Sequence, residues 1–346
     1  MKKPNYMAHF VFGLALMSAS IYSVFADAGK QPAGSEHMIE ELRKDHSNEI
    51  YQCPEGMKLV EIDFAGELSD GDMRGLQVSD KKEDKVLIAR YQGKLYATGS
   101  NCSHFGVDLS FGMLFDDKVM CPAHAAGFSI VTGKPESAPG LDGIPSYLVV
   151  HKDGKWFVEV PEQGLPKKAT MPLTKRDPNN QKHYIIIGGG PAGLNCAETL
   201  RQSGFSGQVT VISKEDIIPY DRTLLSKALP MIDARKKPLR PAEFLTEADI
   251  DYKLGSTVAG INKTAKMITL ETGEVLPYDK LCIATGSKVR KPKIPGANLN
   301  GIHYLRTSAD QESIKSGAAE ARAIAVIGSS WIATEVASAL IGKYKG

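Results

Sequence analysis

Cysteine is scarce in this chain of 346 residues, and the little there is narrows the fold classes at once. Five cysteines, at positions 53, 102, 121, 196 and 282, are odd in number and scattered, which is not the disulfide framework of a small secreted domain. Cys196 and Cys282 fall in apolar helix and strand patterns and read as small buried hydrophobes. An excess of either charge is also lacking: 42 Lys and Arg stand against 40 Asp and Glu, for a net charge of +2. That balance sets nucleic acid aside as a partner. There is no low-complexity tract, and no repeat beyond one strand–turn–helix pattern that occurs twice. What remains, 42% hydrophobic and 24% charged, is the composition of a soluble globular protein long enough for two or three domains.

The N-terminus departs from that body. After Lys2 and Lys3, residues 7–26 carry no formally charged side chain, and Ala26 and Ala28 supply small residues at the spacing of a cleavage site. Residues 1–28 therefore read as a targeting or anchoring segment, either a cleavable signal peptide or a stretch just long enough to span a bilayer. The lack of Arg fits a mitochondrial presequence less well. The compartment stays open between mitochondrion and cytoplasm, with membrane attachment through this segment, and a secretory signal peptide is not excluded.

Residues 29–56 are polar and read as a linker. From 57 to 161 the pattern becomes short β runs (59–64, 85–90, 94–99, 155–160) with Gln92-Gly93 and Asp153-Gly154 at hairpin positions. This predicts a small all-β domain. Residues 162–181, rich in Pro, Lys and Asn, read as an interdomain linker. At 184–187 an apolar strand leads into Gly188-Gly189-Gly190-Pro191-Ala192-Gly193, a helical stretch and a second strand at 209–212, a β-α-β unit. A similar strand–turn–helix recurs at 323–340.

Two short motifs carry the chemistry of the β domain: Cys102-Ser103-His104, then Cys121-Pro122-Ala123-His124 after an interval of sixteen residues. Each mixes one Cys with one His. Structural zinc is the alternative, but zinc motifs commonly place Cys with Cys and His with His. The mixed pairs match a Rieske [2Fe–2S] centre, where two Cys hold one iron and two His the other, and neutral imidazoles raise the potential over an all-Cys ferredoxin. Pro122, Gly127-Phe128 and Ser137-Ala138-Pro139-Gly140 also resemble that family, the last being similar to the Pro loop covering its cluster. One departure is Ala125, where relatives have Gly. If that position needs φ > 0, Ala costs on the order of 1 kcal/mol. With no extra Cys beside either loop, the centre resembles the ferredoxin-like type.

Gly188-x-Gly190-x-x-Gly193 follows a strand and opens a helix, as pyrophosphate binding at a helix N-terminus requires. The acid expected about twenty positions on is missing, Lys214 standing there with Glu215 as the substitute. Pro219-Tyr220-Asp221-Arg222 with Leu225-Ser226-Lys227 resembles the apoptosis-inducing factor and ferredoxin-reductase flavoproteins, as do 239–244 and Ala284-Thr285-Gly286. A Rieske domain before such a flavoprotein resembles an apoptosis-inducing factor-like protein of the Rieske-containing type, from about residue 57 onward. The resemblance implies a multi-domain chain: an all-β Rieske domain (57–161), the N-terminal part of an FAD-binding domain (182–300) and the start of an NAD(P)H-binding domain (301–346), together an incomplete α/β Rossmann-like flavoprotein. It implies that Gly188, Gly190, Gly193, Glu215, Arg222, Lys227, Val258 and Gly286 hold FAD: Arg222 at the pyrophosphate, Lys227 by the flavin ring, and the Val258 backbone at the adenine. Solvated surface charges are the plain alternative for Arg222 and Lys227.

Gly328-x-Ser330-x-x-Ala333 with Glu335 aligns with the family's NADH-binding turn, and Glu335 falls where relatives pair an acid with the flavin-side lysine. A Lys227–Glu335 contact is therefore expected, and Ala333 is expected to crowd helix against strand. The chain stops after the first helix of this domain, so the expectation is a C-terminally truncated polypeptide that does not bind NADH by itself. By resemblance, electrons pass from NAD(P)H through FAD to the [2Fe–2S] cluster and on to an unidentified acceptor. The competing readings are a one-electron carrier in which only the Rieske domain works, and a redox-regulated cell-death partner protein.

Overall fold

The computed structural model describes residues 51–229 and 231–343. The targeting or anchoring segment of 1–28, and the linker of 29–56 as far as residue 50, lie outside the described residues. Among the described residues no helix is long and apolar enough to cross a membrane. The chain divides into two compact units, one ending at Pro172 and the other beginning at Leu173.

The first unit is antiparallel β: β1 (Met57–Glu61), β2 (Met73–Gln77), β3 (Lys85–Tyr91), β4 (Lys94–Gly99), β5 (Met113–Phe115), β6 (Lys118–Met120), β7 (Gly127–Ser129), β8 (Pro135–Ser137), β9 (Ser146–Tyr147), β10 (Val149–Lys152) and β11 (Lys155–Pro161). They form three sheets, ordered β1-β11-β10, β2-β3-β4-β9 and β5-β6-β7-β8. Strand β3 shows why two cores arise. Its run Val86, Leu87, Ile88, Ala89 is buried throughout, with Val86 and Ile88 facing a core of Ile62, Phe64, Val158 and Val160. Leu87 and Ala89 face a second core with Cys102, Cys121, Phe128 and Ile144. A strand buried on both faces reads as a continuous apolar run rather than an alternating one. The hairpins close as their turn residues predict, with φ positive at Gln92 and Gly93 and at Asp153 and Gly154.

The stretch 162–181 is not a free tether. Ala169 and Gly143 exchange backbone hydrogen bonds, Lys168 pairs with Asp142 at 2.7 Å, and Leu165 packs against the first core. Beyond the division, the Thr174 and Asp177 amides donate to Arg201 and Ser206, and Leu173 packs on the second unit's core. The division between the units thus falls inside this stretch, and the backbone groups of each half find partners in their own unit.

In the second unit, β12 (His183–Ile187), β13 (Gln208–Ile212), β14 (Ile250–Lys253) and β18 (Lys280–Ile283) form a parallel sheet ordered β14-β13-β12-β18. Beside it lies an antiparallel meander of β15 (Val258–Asn262), β16 (Met267–Leu270) and β17 (Val275–Pro277). Helices α1 (Pro191–Gln202), α2 (Leu224–Lys227), α3 (Ala242–Glu247), α4 (Ser308–Glu320) and α5 (Trp331–Lys343) complete it. Strand β12 again divides two cores: Tyr184 and Ile186 meet α1, while Ile185 and Ile187 meet the meander. The chain order reverses between β13 and β18 around β12, so the turn after β12 opens at a switch point, where open α/β sheets bind ligands.

The second strand–turn–helix forms only in part. Helix α5 packs through Val336 and Leu340 against Leu229 and Ala318. Residues 323–327 are not a strand, and Ile327 is 92% exposed. A strand must hand its N–H and C=O groups to a neighbour, and no described strand lies beside this one.

Candidate functional site

The two Cys-His loops are built alike. In the first, after β4, the Gly106 amide donates to the Cys102 carbonyl at 2.8 Å and the Cys102 amide to Val107 at 2.9 Å. In the second, between β6 and β7, Ala125 donates to Cys121 at 3.0 Å and Cys121 to Ala126 at 2.8 Å. Each loop turns back through a left-handed residue four positions after its Cys, Gly106 at φ +71° and Ala125 at φ +58°. Ala125 therefore does occupy the backbone region that favours glycine.

This shared frame sorts the donors. Cys102 and Cys121 are buried close to each other, while the His104 ring is half-buried and the His124 ring exposed, with centroids 5.1 Å apart. Burial pushes the Cys102 thiol up, and its contact with Cys121 adds to the rise. Loading a metal would therefore release protons. Among the described residues no three His, Cys, Asp or Glu side chains converge on a point suited to one metal ion. A sulfur pair beside an imidazole pair is the donor set of a two-iron cluster, two Cys to one iron and two His to the other. Phe105, 62% exposed, lies 3.9 Å from the His104 ring and 5.8 Å from that of His124. The Pro loop packs in place, since a Cβ on Gly140 would come within 2.9 Å of the Phe128 ring and 3.2 Å of the Ser103 hydroxyl.

Below the first loop, Asp108 ties β3 to the cluster strand. It accepts from Lys85 (2.8 Å), Ser100 (2.6 Å) and both the amide and hydroxyl of Ser110 (3.0 and 2.7 Å). Burial pushes its carboxyl up, but the Lys85 and serine hydrogen bonds outweigh this and hold it at about 2.

In the second unit the glycine turn fits a dinucleotide phosphate. Gly188 sits at φ +121°, with Ala284 packed where a Cβ would stand, and a Cβ on Gly193 would overlap the Gly188 carbonyl. Gly190 differs: a Cβ there would meet only the Arg222 guanidinium, at 3.8 Å. The turn thus presents bare backbone at the N-terminus of α1 with a cation above it, the donor set an anionic pyrophosphate needs.

Arg222 is held by an ion pair with Glu215, and both meet the Tyr220 hydroxyl, which donates to Glu215 at 2.8 Å and receives Arg222 at 3.2 Å. Tyr220 is 2% exposed, and burial followed by the Glu215 bond pushes its hydroxyl up to about 12. Glu215, the substitute acid after the glycine turn, orients Arg222. Gly286, at φ +68°, closes the other side, with the Arg306 guanidinium 3.0 Å from its Cβ position. Val258 opens β15 opposite Leu270, next to a register shift.

The expected Lys227–Glu335 contact is not formed. Glu335 instead accepts from the buried Ser226 hydroxyl at 2.6 Å, and Lys227 is exposed. Consecutive residues of a helical turn point about 100° apart, so only one of Ser226 and Lys227 can face α5. Gly328 repeats the backbone of Gly188, at φ +122°, yet the Ala333 methyl is an ordinary 3.9 Å from its Cβ position. No described strand lies beside this turn. Sequence reasoning missed Tyr220, Ser226 and Arg306; the first two lay inside the recognised block, and Arg306 carried no local signal.

Comparison with known proteins agrees with this division. Residues 58–148 match the Rieske [2Fe-2S] domain, and residues 182–344 match the pyridine nucleotide-disulphide oxidoreductase family. Apoptosis-inducing factor 3 of Homo sapiens is 30% identical over 91% of this chain and 52% of its own length. The chain is a Rieske-containing, apoptosis-inducing factor-like protein. Over 45% of this apoptosis-inducing factor-like chain, the rhodocoxin reductase of Rhodococcus erythropolis is 40% identical, covering 37% of that enzyme. Among solved structures, a ferredoxin reductase from Rhodopseudomonas palustris superposes with a TM-score of 0.45 at 29% identity, covering 47% of this chain and 41% of the other. The chain spans about half the length of the apoptosis-inducing factor relatives it matches.

Proposed function

We propose that this chain is an FAD-dependent oxidoreductase that takes electrons from NAD(P)H through FAD to a Rieske [2Fe–2S] cluster and on to an electron acceptor. The observation that carries the reading is a buried thiol pair set apart from two less buried imidazoles on two matched loops, in one chain with a dinucleotide turn. Relatives named as rhodocoxin and rubredoxin reductases support the flavoprotein half. When bound, flavin supplies the exchange between two-electron hydride chemistry and single electrons, which the cluster carries.

The chain's own residues bind and orient. Cys102 and Cys121 would hold one iron and His104 and His124 the other, with Phe105 keeping water off the imidazole faces. The Gly188–Gly193 turn and α1 N-terminus would take the pyrophosphate, Arg222 neutralising it while Glu215 and Tyr220 hold the guanidinium in place. Lys227 would stand at the flavin edge, and Ser226 would fix Glu335 behind it.

The test is anaerobic titration of the reconstituted full chain with NADH and NADPH. Bleaching of the flavin followed by the Rieske absorbance is expected. A protein that takes up neither iron nor FAD on reconstitution would overturn the proposal. A second reading, a one-electron carrier without turnover, is favoured by the unpaired 323–327 segment; dithionite reducing the cluster where both nucleotides fail would establish it.

A further inference from the structure

Folding sorts the cysteines in a way their spacing does not suggest. Cys102 and Cys121 face each other in the Rieske unit, and Cys53 stands apart, half-buried. Cys196 and Cys282, 86 positions apart in the numbering, are brought together in the second unit. Cys196 lies in the middle of α1 and is buried; Cys282 lies on β18 in register with Ile186 and is half-buried. Both belong to the core between α1 and the sheet, and β18 is an edge strand, so Cys282 stands at the open side of that core.

The two thiols adjoin in that core closely enough to perturb one another, and Cys282 is the more exposed of the pair. The Cys196 hydrogen bond pulls the Cys282 thiol below the usual range, while the same bond, with burial, drives Cys196 up. Cys282 at the open edge is the sulfur a small oxidant reaches, and Cys196 lies buried behind it, the arrangement of an attacking and a resolving cysteine. Packing alone does not require two sulfurs here, because alanine or valine would fill such positions as well.

We propose that Cys196 and Cys282 form a peroxide-oxidisable dithiol whose disulfide fastens α1 to β18. The Cys282 sulfur attacks one oxygen of a hydroperoxide, the O–O bond breaks, and the other oxygen leaves as an alcohol, or as water from hydrogen peroxide. Cys282 is then a sulfenic acid. The Cys196 sulfur attacks the Cys282 sulfur, the S–S bond forms, and hydroxide leaves as water with the Cys196 proton. Two thiols lose two electrons and the peroxide gains them. The bond would join the elements on both sides of the glycine turn: α1 begins there, and β18 runs into Ala284, whose amide donates to Ile187 at 2.7 Å. The inference does not depend on the proposed electron path.

The test treats the full cofactor-loaded chain with hydrogen peroxide, blocks remaining thiols and maps tryptic peptides. Peptides 183–201 and 281–288 each hold one of the two cysteines and no other. They should appear joined, lighter by two hydrogens than their sum and split by dithiothreitol, with an unfolding midpoint several degrees higher than in the reduced chain. Cys282→Ser should abolish the joined peptide and the shift, whereas Cys196→Ala should leave a dimedone-reactive Cys282. Both peptides staying singly blocked at a peroxide level that oxidises Cys53 would overturn the proposal. So would joining to Cys53 as often as to each other, or an unchanged shift in Cys282→Ser.

Discussion

At the residue scale, Ala125 bears strain that its loop mate Gly106 avoids. Both positions sit at positive φ for the same reason, to turn each loop back onto its cysteine carbonyl, and only one has shed its Cβ. Ala125→Gly should raise the stability of the Rieske unit by about 1 kcal/mol and slow iron loss to a chelator, both read by denaturation and by absorbance decay. Asp108 makes the opposite kind of contribution. Its folded pKa of about 2 lies below the ordinary 3.8, so its stabilisation is complete above pH ~4 and disappears as pH falls toward 2. Its side chain is 19% exposed, and the effect is on the order of 2 kcal/mol. Asp108→Asn should destabilise the unit at pH 7 and flatten that acid limb in a pH series of urea midpoints.

At the scale of elements, α1 is fixed by its last turn as much as by its first. Arg201 is fully buried and donates to the carbonyls of Ala248 (2.9 Å), Phe205 (2.7 Å), Gly207 (2.8 Å) and Asp249 (2.7 Å), closing the connections to β13 and β14. Arg201→Met strands those acceptors and should cost roughly 3–5 kcal/mol, seen as a lower urea midpoint for the flavoprotein unit. At the other end, Gly193→Ala drives a methyl into the Gly188 carbonyl and should abolish FAD retention on gel filtration. The sequence shows these two ends unequally. The glycine spacing, the hairpin pairs and the paired Cys-His loops are local patterns, and each lies where its pattern placed it. The Arg201 web, the Ser226–Glu335 bond and the Cys196–Cys282 contact join positions far apart in the chain. No periodicity encodes such pairs, since a polar residue in an apolar helix reads the same whether or not a distant partner awaits it. The division of the chain at Pro172 falls inside the stretch 162–181, and the partners that hold each half, such as Asp142 for Lys168, are distant positions that no local pattern names.

At the scale of the whole molecule, each unit has its own core and its own candidate cofactor site, and the two should respond to ligands separately. Calorimetry of the loaded chain should show two transitions. Added FAD should raise only the one belonging to residues from Leu173 onward, and iron chelation should lower only the other. A single transition moved by both ligands would show the units to be thermodynamically one.

Gly188 and Gly328 adopt the same backbone angle 140 residues apart, one flanked by a packed sheet and one by an unpaired segment. The chain thereby contains its own control. Comparing nucleotide affinity at the two cradles would separate what the turn contributes by shape from what the sheet contributes by rigidity, within one polypeptide and one solvent.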